Sequence, residues 1–146
     1  MRNVVMRIFL LVIIFSAVSC KSNAQEFAPY IASGEFEMND NSSDYSICGV
    51  NVFILNKRDT NIKQLTLVFY LFDNDGEPAT ECWSKLEFEI EKEIAGSQSA
   101  SFCVSLDKYM NVVPSEKLFV DYLYLSKIEY DDGSVWEDPA GLIAFR

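Results

Sequence analysis

Leu65-Thr66-Leu67-Val68-Phe69-Tyr70-Leu71-Phe72-Asp73-Asn74-Asp75-Gly76-Glu77-Pro78 decides how this chain is read. Leu65, Leu67, Phe69 and Leu71 alternate with Thr66, Val68, Tyr70 and Phe72. That period of two puts aliphatic groups on one face of a strand and larger amphipathic groups on the other. The run stops at Asp73 to Pro78, because Gly76 accommodates positive φ and Pro78 cannot continue a ladder. The same alternation lies just upstream, where Cys48, Val50, Val52 and Ile54 are interleaved with Gly49, Asn51, Phe53 and Leu55. With Asn56 to Asn61 as the loop between them, the two runs read as a strand pair.

Downstream, Leu86, Phe88 and Ile90 alternate with Lys85, Glu87, Glu89 and Glu91, a half-buried strand whose charged face suits a sheet edge. Leu86, Ile90 and Ile94 are also four apart, so a helix stays open there. After Ala95-Gly96-Ser97, Phe102, Val104 and Leu106 point one way and Ser101, Cys103 and Ser105 the other. Leu118 to Tyr130 is the longest β-branched and aromatic run and reads as a central strand partly covered on both faces. Asp131-Asp132-Gly133-Ser134 carries an Asp-Gly hairpin signal, followed by Val135-Trp136 and a short last strand near Leu142 to Phe145. Asp107 to Val113, before Pro114, reads as a single helical turn. About seven short strands with frequent turn signals indicate an all-β, antiparallel immunoglobulin/fibronectin-III-like β-sandwich.

Phe69-Tyr70-Leu71-Phe72-Asp73 resembles the Phe-x-Leu-Tyr-Asp signature of FxLYD-type domains, small immunoglobulin-like sandwiches of exported bacterial and archaeal proteins. Phe72 stands where that signature has Tyr, and the likeness covers residues 45–106 in general layout. It implies a sandwich fold and an extracytoplasmic setting, and it brings no catalytic residue with it.

The N-terminus carries an address. Arg2 and Arg7 precede the apolar run Ile8 to Phe15, and Ser16-Ala17-Val18-Ser19 leads into Cys20, the n-region, h-region and cleavage region of an export signal. The apolar run is too short to span a bilayer core of ~30 Å at ~1.5 Å per residue. Ala17-Val18-Ser19-Cys20 resembles a bacterial lipobox, with Ala17 where Leu is usual. The resemblance implies a diacylglyceryl group on the Cys20 thiol and Cys20 as the mature N-terminus. Ser22-Asn23-Ala24 before Gln25 offers the competing site for ordinary signal peptidase. The expected organisation is therefore a signal peptide over 1–19, a polar tether over 20–29 and one sandwich domain over 30–146, anchored in the cell envelope through Cys20.

Charge and composition then exclude chemistry. The chain has 146 residues, no His and a formal net charge of −10. Without imidazole there is no Ser-His-Asp triad, Cys-His pair or HExxH zinc site. Loss of 1–19 removes Arg2 and Arg7 and no acid, leaving 10 basic against 22 acidic residues, so the exported part stands at −12. Such a surface repels nucleic acid, and lipid would have to supply any membrane attachment. No cofactor motif or metal-ligand spacing is present. Asp73 to Glu77 suggests a calcium loop, but Pro78 and Ser84 occupy the positions that need Gly and Glu, so a hairpin turn is the reading.

The remaining candidates are few. Glu87, Glu89, Glu91 and Glu93 recur at ~6–7 Å along a strand, a spacing compatible with paired-carboxylate chemistry and equally with a solvated face. Cys48, Cys82 and Cys103 are an odd number in an exported chain. If residues 85–91 pair antiparallel with 98–106, Cys82 and Cys103 come within disulfide reach; Cys48 with Cys103 is the competing pair, and three reduced thiols the third outcome. Trp83, beside polar loop sequence, and Trp136 are the expected binding aromatics. The functional expectation is a non-enzymatic envelope lipoprotein that binds a protein or glycan partner or serves as an accessory module. The alternative is a small secreted carboxylate-based enzyme or enzyme inhibitor.

Overall fold

The computed structural model describes residues 27–38, 42–79 and 85–142. Its seven strands are β1 (Tyr30–Glu37), β2 (Gly49–Asn56), β3 (Ile62–Phe72), β4 (Lys85–Ile94), β5 (Ser99–Ser105), β6 (Phe119–Tyr130) and β7 (Val135–Glu137). They form two antiparallel sheets, ordered β1-β2-β5 and β4-β3-β6-β7, packed face to face as a β-sandwich. Residues 1–26 and 143–146, which include the expected signal, Cys20 and most of the last expected strand, lie outside the described residues, as do Cys82 and Trp83. Among the described residues, no helix is long and apolar enough to cross a membrane.

The decisive run is β3, in the middle of the larger sheet. Leu65, Leu67, Phe69 and Leu71 are almost completely buried, and opposite them Val50, Val52 and Ile54 of β2 are fully buried from the other sheet. The two alternations thus define the inner faces of different sheets. This corrects the expected β2–β3 strand pair: β2 pairs with β1 and β5, and β3 with β4 and β6. Residues 57–61 carry the chain across the sandwich. Residues 85–94 are a strand and not a helix, lying at the sheet edge that their charged face suits. Asp107 to Val113 holds a turn at its start, where the N–H groups of Tyr109 and Met110 both donate to the Leu106 carbonyl (2.8 and 3.1 Å).

One strand was not legible in advance. In β1, Tyr30, Ala32, Gly34 and Phe36 share a face, but two of the four are too small to register as apolar alternation. A Cβ on Gly34 would stand 2.5 Å from Leu123 Cδ1, so the small residues are what lets β1 approach β6 across the core.

The register between β3 and β6 shifts three times: between Ile62 and Gln64, where β3 has the extra residue, and between Thr66 and Leu67 and between Val68 and Tyr70, where β6 has it. Each slip inserts an extra residue and turns the following side chains over. Leu123, Leu125, Ile128 and Tyr130 therefore all reach the core despite a spacing that a regular strand would split between faces. Tyr122 lies in one bulge with φ 48°, a left-handed conformation costly for a non-glycine residue. Its ring packs edge-on against Tyr70, with centroids 5.6 Å apart. At the other bulge, the Leu125 N–H donates to the fully buried Tyr30 hydroxyl at 2.9 Å, tying the two sheets together. Burial pushes that hydroxyl's pKa up to about 12. Tyr30→Phe leaves the buried Leu125 N–H without its acceptor, and a loss of roughly 1–3 kcal/mol is expected. A lower urea midpoint with an unchanged m-value is the signature to look for.

Candidate functional site

The sandwich has unequal ends. At one lie the start of β1 and the linkers 57–61, 95–98 and 131–134; at the other lie linker 106–118 and the described parts of linkers 38–48 and 73–84, each linker more than twice as long in sequence. The short end is closely bonded. Fully buried Asn56 donates through Nδ2 to the carbonyls of Thr60 (2.8 Å), Ile94 (3.4 Å) and Ala95 (3.3 Å), and its Oδ1 accepts the Arg58 N–H (3.1 Å). Gly96 packs so closely on Asp59 that a Cβ would stand 1.9 Å from its carbonyl oxygen. In the β6–β7 hairpin, Gly133 takes φ 83° and Ser134 N–H donates to Asp132 Oδ1 at 2.8 Å, as the Asp-Gly signal required.

The long linkers are pinned to one another by side chains. The Asp107 carboxylate accepts the N–H groups of Ser46 (2.8 Å) and Ile47 (2.9 Å), which hold its carboxyl below the usual range and fix linker 38–48 against linker 106–118. Asn74 donates to Glu116, and Lys117 bonds Glu35 on β1 at 2.7 Å. Asp73 Oδ1 accepts the N–H groups of Asp75 and Glu77, both at 2.9 Å. Its carboxylate thus closes its own turn, which is the hairpin expected in place of a calcium loop. Met38, Tyr109, Val112, Val113 and Phe119 are exposed at this end, Val112 to 77 %. Loops held by a rigid scaffold and presenting apolar side chains are where binding function concentrates.

The sequence-level candidates fall apart as a group. Trp136 faces inward from β7, half-buried, with its ring 5.5 Å from Tyr30 in an edge-on contact; it closes the core's margin and is not a free anchor. Cys48 and Cys103 are free thiols. Cys48 is buried in the core with Sγ 3.3 Å from Met110 Sδ, whereas Cys103 faces outward from β5 opposite Asn51. Neighbouring strands thus direct them to opposite faces, which rules out that pair here. Burial first, then nearby acids, pushes both thiols up to about 11, far from a reactive thiolate. β4 and β5 belong to different sheets, so the pairing that would bring Cys82 to Cys103 does not occur.

Glu87, Glu89, Glu91 and Glu93 are exposed along β4, the first three opposite Val68, Thr66 and Gln64. Glu91 and Glu93 do reach a recess of about 370 Å³ that Lys63 and Asp131 also line. Among the described residues, no three acids or cysteines gather closely enough to hold a metal ion. Alternation alone did not single out Phe53, which projects from the uncovered face of β1-β2-β5 beside Ser33 and Ser101 over a shallow depression of about 420 Å³.

No protein-family profile, curated protein or solved structure matches the chain.

Proposed function

We propose that this chain is an envelope lipoprotein: a non-catalytic binding module exported by residues 1–19, acylated on Cys20 and held to a membrane by residues 20–29. The observation that carries the reading is the polarity of the domain. Its N-terminal attachment enters at the short-turn end, and the long loops with their exposed apolar side chains lie at the opposite end. A chain tethered at Tyr30 presents those loops away from the bilayer, to a protein or glycan partner. The resemblance of residues 69–73 to FxLYD-type domains and of residues 17–20 to a lipobox supports the same setting.

The energetics agree. Ten tether residues reach at most about 35 Å when fully extended, which keeps the domain close to the surface. A strongly acidic chain gains nothing from an anionic lipid surface, so the acyl chains would supply the affinity, at roughly 0.8 kcal/mol for each buried CH₂. Cell fractionation tests the anchor. The wild-type chain is expected in the membrane pellet, resistant to high-salt washing and released by detergent, and Cys20→Ser in the soluble extracytoplasmic fraction. Equal partitioning of the two would sink the anchor.

A further inference from the structure

The two margins of the sandwich are built differently. At one, Ala32 and Gly34 let β1 close on β6, and Tyr30 meets Trp136 of β7 edge-on. At the other, β4 and β5 stay further apart along their length, and Phe88, Ile90 and Phe102 pack against the core while only partly buried. With Val104 they line a groove of about 310 Å³. Phe88 and Ile90 are successive inward residues of one strand, and Phe102 and Val104 of the other, so the groove is a slot that runs along the strands.

The ends of the slot differ. Beyond Ile90 and Phe102, linker 95–98 joins β4 to β5. At the Phe88 end, Tyr109 of linker 106–118 meets Phe88 edge-on at 5.6 Å, and its neighbour Lys108 lines the groove. Lys108 is exposed and forms no ion pair among the described residues, in a chain with 22 acidic residues against 12 basic. Glu89 also borders the groove but belongs to the outer face, in one row with Thr66 and Lys127. Small-molecule sites have this make-up: mostly apolar walls, a few polar groups that fix orientation, and volumes from about 300 Å³ upward.

We propose that the slot between β4 and β5 binds a single saturated fatty acid of about ten carbons, the length that 310 Å³ accommodates at interior packing density. The alkyl chain lies between Phe88 and Ile90 on one side and Phe102 and Val104 on the other, and the carboxylate meets Lys108. Three features select this ligand. The Phe, Ile and Val side chains of the walls reward buried apolar area. A slot that follows two strands suits an extended chain better than a ring. The unpaired lysine at its mouth favours an anionic head over a cationic one. The site stands apart from the exposed loops proposed to meet a protein or glycan, and it does not require Cys20 to be acylated.

The exported chain carrying Cys20→Ser, which has no acyl chain of its own to compete, provides the test when titrated with sodium decanoate in detergent-free buffer and followed by NMR. Saturable one-to-one binding is expected, with shifts concentrated on Phe88, Ile90, Phe102, Val104 and Lys108. Hexanoate, with a shorter tail, and decyltrimethylammonium, with the same length of tail and the opposite head charge, are each expected to bind at least about tenfold more weakly. Ile90→Trp, which fills the slot from a partly exposed position, is expected to weaken decanoate binding at least about tenfold. Lys108→Glu, at an exposed position, keeps the test open should that variant fail to fold, and is expected to weaken decanoate binding about tenfold. Five results overturn the proposal: no saturable binding of decanoate, hexanoate or decyltrimethylammonium binding as tightly as decanoate, folded variants that bind decanoate unchanged, shifts confined to the long loops or the Phe53 face, or slot resonances that move with protein concentration before decanoate is added, which would make a second copy the occupant. Fractionation of wild type and Cys20→Ser bears on the anchor alone, so the anchor and the slot can fail separately.

Discussion

Phe69→Ala is expected to cost about 3–5 kcal/mol, at the upper end of what truncating one buried side chain costs. Phe69 is fully buried at the middle of β3, with β4 on one side and β6 on the other. Its ring stacks on Phe88 at 5.5 Å, nearly parallel, and Phe88 in turn meets Tyr109 edge-on at 5.6 Å. Removing it forfeits both the transfer energy of the ring and its contacts, and two hydrogen-bonded neighbours prevent β3 from shifting to fill the space. Against a typical total of about 5–15 kcal/mol, the variant should be at the margin of folding. Urea unfolding of Phe69→Ala beside Phe69→Leu, which keeps much of the volume and is expected to lose less, separates cavity formation from a general defect. A loss below about 1 kcal/mol for the alanine variant would place the core elsewhere.

Asn56→Asp is nearly isosteric and should be almost as damaging at neutral pH, by about 3–5 kcal/mol. The native amide points its Nδ2 donors at the carbonyls of Thr60, Ile94 and Ala95. A carboxylate there is an acceptor facing acceptors, fully buried and with no cation bonded to it. Desolvation and the three carbonyl dipoles raise the folded-state pKa of the introduced carboxyl above its unfolded value of about 3.9. The folded state then binds its proton more tightly than the unfolded one. The penalty is therefore small below pH ~4, where both states are protonated, and grows as pH rises towards the folded-state pKa. Unfolding of Asn56→Asp and wild type between pH 4 and 7 should diverge steadily. A constant difference across that range would mean that the side chain does not face the three carbonyls.

The sequence shows its fold where side-chain size and period agree. β3 and its Asp73 to Pro78 turn were legible because every inner residue is large and the stop is made of Gly and Pro. β4 was legible as an edge because its outer face is charged. β1 was not, since Ala32 and Gly34 hide the alternation that lets the strand pack against β6. The two bulges of β6 scrambled its period, so its inward set could not be separated from its outward set. Strand partners were misassigned for a different reason: alternation tells which face is buried and says nothing of whether the next strand pairs alongside or crosses over the core. The site suffered most from this. The long-loop end exists only once sheet order is known, and Trp136 looked available only because its packing against Tyr30 joins residues far apart in sequence.

The proposed tethered module is tested most directly by the intact mass of the mature protein isolated from the membranes of its own cells. The expected species begins at Cys20 and carries the added mass of a diacylglyceryl group on that thiol. A mature chain beginning at Gln25 without lipid, or one that retains residues 1–19, would contradict it.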